Sequence, residues 1–156
     1  MIRPINAPSV ELSKIARELD LQFEGALSVS GIAQSAADVE PGDIFVAIKG
    51  AKHHGLEFLD LAISNGAVAL ITDNTDQLAN FDDRIPTLRV EDSRIAAGIA
   101  ASCIYGKPSR DLFTVGITGT NGKTTVTTLL HQIWQEAGWV SGLIGTINTS
   151  IGRESI

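Results

Sequence analysis

The sequence has little that would support a secreted, membrane-bound or nucleic-acid-binding protein. Its single cysteine, Cys103, excludes an intramolecular disulfide and a cysteine metal cluster. It has no apolar run of about 18 residues and no charged-then-apolar segment after Met1, so neither a membrane partner nor a signal peptide is predicted, and a cytoplasmic location is expected. Basic residues are also few. The 12 Lys and Arg against 18 Asp and Glu give a net charge of −6, which argues against a nucleic-acid partner.

What the chain does have is the composition of a folded protein, with 44% hydrophobic and 19% charged residues. Short apolar runs alternate with segments of helical spacing. Strands are predicted at IFVAI (44–48), AVALIT (67–72) and TLRV (87–90), and helices over 57–66 and 92–106. The first two runs are apolar throughout, which is typical of strands buried on both faces. The alternation predicts an α/β fold with three-layer character.

The segment YGKPSRD (105–111) is the predicted boundary between two domains, 1–108 and 109–156. It holds a glycine that can end a helix and a proline that cannot continue one. The alternation then restarts with a predicted strand LFTVGIT (112–118), a loop, a helix over 123–138 and a strand WVSGLIGTI (139–147). This order predicts one βαβ unit.

The helix over 92–106 carries two local predictions. Asp92 is the expected N-cap, because its side chain can accept hydrogen bonds from the first-turn N–H groups. Ile95, Ile99 and Cys103 follow a helical spacing and form the predicted buried stripe.

The loop within GITGTNGKTTVTTLL (116–130) has the features of a polyphosphate cradle. Glycines let backbone N–H groups turn toward one point, and the first-turn N–H groups of a helix have no other partner. Lys123 would add a positive charge near the outer phosphates, and the Thr124 hydroxyl would face a phosphate-bound Mg²⁺. The general pattern G-x-x-x-x-G-K-[ST] is not matched, because Ile117 stands at the position of its first glycine.

The variant TGTNGKTT (118–125) resembles the Mur ligase superfamily, the ATP-dependent amide ligases of peptidoglycan precursor synthesis, together with folylpolyglutamate synthetases. The resemblance implies that ATP and Mg²⁺ are the cofactors and that Thr124 contacts the metal through ATP. It implies ATP binding by Gly119, Thr120, Asn121, Gly122, Lys123, Thr124 and Thr125.

A second segment, residues 35–72, resembles the N-terminal domain of the two superfamily members that add the third amino acid and the terminal dipeptide. That domain binds the uridine diphosphate (UDP) end of the substrate. The tail 125–147, with GLIGT, is closer to the members that add the third amino acid. The resemblance implies contacts to the UDP substrate by Ala33, Ser35, Ala51, Lys52, His53 and Asn148.

Two departures from the family pattern bear on this site. Gln34-Ser35-Ala36 replaces the usual Asp-Ser-Arg, so only the serine is retained. His54-Gly55-Leu56 replaces the usual Asp-Gly-His. A histidine pair such as His53 and His54 in a polar loop is more often solvated surface, although a neutral imidazole can hydrogen-bond a uracil or a phosphate.

The chemistry that the resemblance implies is carboxylate activation. ATP phosphorylates the D-glutamyl carboxylate of UDP-N-acetylmuramoyl-dipeptide, and the incoming amine displaces the phosphate. The residues that select diaminopimelate or L-lysine are expected outside this sequence. Three hypotheses stay open: a part of the ligase that adds the third amino acid, a part of the dipeptide-adding ligase, and a stand-alone nucleotide-binding module without ligase activity.

The first hypothesis carries further expectations. The chain would be an N-terminal fragment with no catalytic residue of its own and no ligase activity alone, while the parent enzyme would be a monomer. An unpaired sheet edge and uncovered apolar surface would favour self-association of the fragment.

Overall fold

The computed structural model describes residues 9–74, 84–147, 149–152 and 154–155. The chain divides into two compact units, Met1–Leu112 and Phe113–Ile156. The first unit contains β1 (Val10–Glu11), α1 (Leu12–Glu18), β2 (Ser28–Val29), β3 (Gly31–Ala33), β4 (Asp43–Ala47), α2 (Leu59–Ser64), β5 (Ala69–Thr72), β6 (Thr87–Arg89) and α3 (Ser93–Ile104), with single 3₁₀ turns at Ala36–Asp38, Gly55–Phe58 and Pro108–Arg110. The functions predicted for domains 1–108 and 109–156 stay predictions.

A parallel sheet in the order β3-β4-β5-β6 forms the centre of the first unit. Ile44 lies opposite Ile32 on one side and Ala69 on the other. β1 and β2 form a separate antiparallel pair. Because all four central strands run in the same direction, the loops that follow them meet at one edge of the sheet, where α/β proteins commonly bind ligands.

Alternating side chains of β4 enter the two hydrophobic cores of the first unit. Ile44 and Val46 pack with α1 and α3, whereas Phe45 and Ala47 pack with α2 and the 3₁₀ turns. The run IFVAI is therefore apolar throughout because both faces of the sheet are covered. This three-layer arrangement confirms the α/β class predicted from the sequence.

The helix predicted over 92–106 forms as α3. Its predicted N-cap is confirmed, and its predicted buried stripe is right for Cys103 and wrong for Ile95. The Asp92 side chain accepts hydrogen bonds from the N–H groups of Arg94 and Ile95 at 2.8 and 3.0 Å, so it is the N-cap. Ile95 is exposed, and the buried face is instead formed by small residues with Ile104. Ala96, Ala97 and Ala100 on this face pack in one core with residues of the sheet and α1. Burial also raises the pKa of the Cys103 thiol, as expected for a structural cysteine.

The second unit contains α4 (Lys123–Glu136), β7 (Gly142–Ile144), β8 (Thr149–Ile151) and β9 (Glu154–Ser155). The predicted βαβ unit is not formed here, because residues 113–119 have no regular secondary structure and β7 pairs antiparallel with β8. An apolar run becomes a strand only where a neighbouring strand accepts its hydrogen bonds. Within the described residues, no strand pairs with 112–118.

Among the described residues, no helix combines the length and apolar character needed to cross a membrane.

Candidate functional site

The predicted phosphate loop leads directly into the N-terminus of α4. Gly119 has a φ of 147° and Gly122 a φ of 79°, both in the region that favours glycine. Gly122 is the N-cap residue and supplies no side chain, and the first turn of α4 holds no acidic residue. The first-turn N–H groups therefore have no side-chain acceptor in the described structure, which leaves a partial positive charge facing solvent.

Lys123 is the first residue of α4 and folds back over the loop. Its ammonium group donates hydrogen bonds to the carbonyl oxygens of Gly119 and Thr120. Residues 118–126 are all exposed, so a ligand can reach the loop from solvent. The lysine charge is thus held within a few ångströms of the uncapped helix end without being neutralised by a carboxylate.

These features fit the polyphosphate of ATP. Uncapped N–H groups and a lysine ammonium bind phosphate oxygens, and the Thr124 hydroxyl follows directly on the lysine, where a phosphate-bound Mg²⁺ would find an oxygen ligand. The roles of the seven residues 119–125 in ATP binding stay predictions.

The predicted UDP contacts in the first unit lie on adjacent loops at the carboxyl edge of the sheet. Ala33 is the buried last residue of β3, and Ser35 follows in the exposed turn before Ala36–Asp38. The Ser35 hydroxyl does not cap that turn. The Asn65 side chain donates to the carbonyl oxygen of Ala36 at 2.9 Å and so holds this turn against α2.

The second of these loops, residues 48–55, follows β4 and has a closed base. The Gly55 N–H donates to the Ile48 carbonyl at 3.0 Å, and the Gly50 N–H donates to the His53 carbonyl at 2.9 Å. Ala51, Lys52 and His53 form its exposed tip. A β-carbon at Gly55 would lie 2.7 Å from the Ala47 α-carbon, so only glycine fits where the loop returns to the strand.

The two histidines of this loop have different environments. His53 is exposed, and its Nδ1 lies 2.8 Å from Glu57 Oε2. His54 is largely buried, with 11% of its side chain exposed, so the expectation of solvated surface is wrong for this residue. The His54 Nδ1 accepts from the Leu56 N–H at 3.2 Å and thereby caps the turn Gly55–Phe58. A hydrogen bond from the His54 backbone, followed by one from His53, lowers the pKa of Glu57.

Two residues that support this edge were not predicted from the sequence. Asp73 follows β5, and its two carboxylate oxygens lie 3.3 Å from His54 Nε2 and 3.3 Å from the Ser93 N–H. Arg94 donates to the Lys49 carbonyl at 2.9 Å. The available signal was that Asp73 comes directly after a predicted buried strand, and polar residues at that position face the loop edge of a parallel sheet.

The two predicted sets of site residues lie in different units. Ala33, Ser35 and 51–53 belong to the first unit, and 119–125 belong to the second. Asn148 lies outside the described residues. Within the described part of the chain, no group of three or more His, Cys, Asp or Glu side chains could hold a metal ion.

Comparisons with known proteins agree with this architecture. Residues 28–105 match the family model for the Mur ligase family, catalytic domain, and residues 117–156 match that for the Mur ligase middle domain. The chain is 37% identical over 155 residues to the UDP-N-acetylmuramoyl-L-alanyl-D-glutamate--2,6-diaminopimelate ligase of Streptomyces coelicolor. The aligned region covers 99% of this chain and 30% of that protein. The chain thus spans less than a third of the length of this curated relative.

Two solved structures are similar to the chain. A crystal structure of MurF from Acinetobacter baumannii has a TM-score of 0.65 and 20% identity, and the match covers 91% of this chain and 31% of that one. At this identity the match supports the fold alone. MurF ligase from Thermotoga maritima, in complex with ADP, has a TM-score of 0.54 and 30% identity, covering 67% of this chain and 23% of that one. Since the match over residues 28–105 takes in half of the chain, and a second match from the same family follows it, the chain belongs to the Mur ligase family.

Proposed function

We propose that this chain binds a UDP-linked substrate through its first unit and the phosphates of ATP through its second, as part of an ATP-dependent carbon–nitrogen ligase. The observation that carries the proposal is the uncapped, exposed N-terminus of α4, with Lys123 at its first position and no carboxylate in its first turn. Such a helix end attracts a polyphosphate. The substrate would be UDP-N-acetylmuramoyl-L-alanyl-D-glutamate, and the product would carry a third amino acid.

In the proposed reaction the D-glutamyl carboxylate attacks the γ-phosphorus of ATP, forming an acyl phosphate and releasing ADP. The amine of the incoming amino acid then attacks the acyl carbon, forming the amide and releasing inorganic phosphate. The name of the Streptomyces relative points to 2,6-diaminopimelate as that amino acid. The hypothesis of a stand-alone nucleotide-binding module would keep the binding and lack this chemistry.

The described residues would contribute binding and charge. The helix N–H groups and Lys123 would hold the outer phosphates and offset the negative charge of the transferred group. The Thr124 hydroxyl would hold Mg²⁺, whose charge serves the same end. The exposed Ser35 hydroxyl and the tip residues 51–53 would bind the UDP part and orient the substrate.

A crossed pair of variants tests both halves of the proposal in the 156-residue chain. Calorimetric titration with UDP and with MgATP is expected to give separate, saturable binding of each. Ser35→Ala should weaken UDP and leave ATP unchanged, and Lys123→Ala should do the reverse, so each variant is the control for the other. Absence of saturable binding of either nucleotide at millimolar concentrations, or equal loss of both in both variants, would contradict the proposal.

A further inference from the structure

The loop after β4 carries the proposed UDP contacts, but the loop's own hydrogen bonds fix only its base. The Gly55–Ile48 and Gly50–His53 bonds close the loop on itself, and Lys49 and His54 form a single antiparallel bridge across it. None of these bonds sets the direction of the loop relative to the rest of the sheet edge. That direction decides where the backbone of Ala51 and Lys52 presents its polar groups to a ligand.

Two side chains tie this loop to other elements of the first unit. Arg94, in the first turn of α3, donates to the Lys49 carbonyl at 2.9 Å on the outgoing side of the loop. His54, on the returning side, reaches Asp73 at the end of β5. Asp73 in turn accepts from the Ser93 N–H at the start of α3. The loop is thus held at both sides by groups that belong to rigid elements.

The tautomer of His54 follows from its partners. Its Nδ1 accepts a hydrogen bond from the Leu56 N–H, so this nitrogen carries no proton. The proton of the neutral ring is then on Nε2, which faces the Asp73 carboxylate at 3.3 Å. One imidazole therefore caps the turn Gly55–Phe58 and also donates to the neighbouring strand end. The aspartate that is usual in the family at this position could cap the turn but could not donate to Asp73, since a carboxylate has no proton to donate.

The environment of Asp73 supports the pairing. Desolvation by burial, the largest single influence, raises the pKa of this carboxyl group. The hydrogen bonds from Ser93, His54 and the Asp73 backbone together outweigh it, and the net pKa is below the ordinary value. The carboxylate is therefore ionised at neutral pH, which strengthens the hydrogen bonds that it accepts. Side-chain exposures of 11% for His54 and 27% for Asp73 keep this hydrogen bond partly shielded from water.

We propose that His54 and Asp73 are positioning residues for nucleotide binding, which hold the 48–55 loop so that its tip meets the UDP part of the substrate. Neither needs to touch the ligand. The proposal rests on the proposed function of this loop in UDP binding, and it assigns to His54 and Asp73 a role that the sequence resemblance does not give them. Among the described residues, two further charged side chains contact this loop: Arg94 donates to the Lys49 carbonyl, and Glu57 accepts from the His54 N–H at 3.0 Å.

Three variants of the 156-residue chain test the proposal. In His54→Asn the side-chain oxygen takes the place of Nδ1 and keeps the cap, but the bond to Asp73 is lost. In His54→Gln the amide nitrogen takes the place of Nε2 and keeps the bond to Asp73. Loss of one hydrogen bond to a charged group is worth about 1.5 kcal/mol, so His54→Asn is expected to weaken UDP binding roughly tenfold. Asp73→Ala also removes the acceptor of the Ser93 N–H, so it should weaken UDP binding at least as much as His54→Asn. His54→Gln should retain more of the wild-type affinity than either.

Two further measurements separate positioning from general damage and from failure of the proposed function. Urea unfolding of each variant reports stability, and amide hydrogen exchange at Gly50 and Gly55 in the free protein reports the order of the loop. Faster exchange there in His54→Asn, restored in His54→Gln, is expected whether or not the chain binds UDP. Wild-type exchange in His54→Asn would overturn the proposal, as would wild-type UDP affinity in that variant. If exchange changes as expected but the wild type does not bind UDP, His54 and Asp73 do anchor the loop, but the proposed function is contradicted. Their role in nucleotide binding is then contradicted with it.

Discussion

At the two candidate sites, single charged side chains matter mainly because hydrogen bonds hold their charge at a defined position. Lys123 shares its ammonium group between two loop carbonyls, and Asp73 accepts from donors on two different elements. The sequence was sufficient to single out Lys123, because a lysine after a glycine at a helix start has a local signature. It was not sufficient for Asp73, whose partners are 19 and 20 residues away in the chain. Recognising that pair requires the order of the strands, which local pattern does not contain.

At the phosphate loop, Lys123→Ala is expected to weaken nucleotide binding in proportion to the number of outer phosphates. The loss should be about 1.5–3 kcal/mol for ATP, the range for a hydrogen bond to a charged group. AMP, which lacks the outer phosphates, should lose little, and titration with ATP, ADP and AMP checks the order. Lys14→Ala removes the same charge from an exposed position on α1 and serves as the control. An equal loss for all three nucleotides would assign the lysine a different role.

At the sheet edge, Asp73→Asn is expected to destabilise the first unit in a pH-dependent way. The folded-state pKa of Asp73 is lowered, so its contribution is fully present above the unfolded pKa, near 4, and is lost as pH falls through the folded value. The difference in urea midpoint between wild type and variant should therefore be largest at pH 6 and shrink steadily below about pH 4. A difference independent of pH would mean that the carboxylate charge is not what stabilises the fold.

A helix or strand is predictable from sequence where successive residues meet the same degree of burial along its length. The strands predicted at 44–48 and 67–72 form as β4 and β5, and their residues are nearly all apolar because both faces of these strands are covered. The run 112–118 has a similar composition, yet its outcome depends on a neighbouring strand that the local sequence does not contain. In α3 the small residues face inward and Ile95 faces solvent, since close packing rather than residue hydrophobicity selects the buried face.

Two glycines provide a matched test of close packing within these elements. A β-carbon at Gly55 would meet the backbone of Ala47 and Ile48 at 2.7 and 2.8 Å, whereas one at Gly98 on α3 meets nothing within 4 Å. Gly55→Ala is expected to destabilise the first unit by roughly 1–3 kcal/mol, since the strand backbone must move. Gly98→Ala should stabilise it by roughly 0.5–1 kcal/mol through helix propensity. Urea unfolding of both variants checks the signs, and a loss at Gly98 would show that this face of α3 is not open.

At the scale of the whole molecule, the two units bury their apolar residues very differently. The first unit has two cores with large side chains fully enclosed, such as Phe45 and Leu70. In the second unit α4 has no buried residue. The large exposed apolar side chains of the second unit are Phe113, Val115, Val126, Leu129, Ile133, Trp139, Val140, Ile144, Ile147 and Ile151. Val126, Leu129 and Ile133 recur at a helical spacing along α4, and each of them is exposed in the described structure.

Uncovered apolar surface of this extent predicts self-association of the 156-residue chain in solution. Ile133 on α4 and Ile95 on α3 form a matched pair, because both lie on helices and their exposures are 62% and 64%. Ile133 is one of many exposed apolar residues in its unit, whereas Ile95 lies on a helix whose other face is fully packed. Sedimentation velocity over a range of concentrations is therefore expected to show association that Ile133→Glu reduces and Ile95→Glu leaves unchanged. A wild-type chain that stays monomeric throughout, or an equal response to both substitutions, would mean that the apolar face of α4 does not drive association.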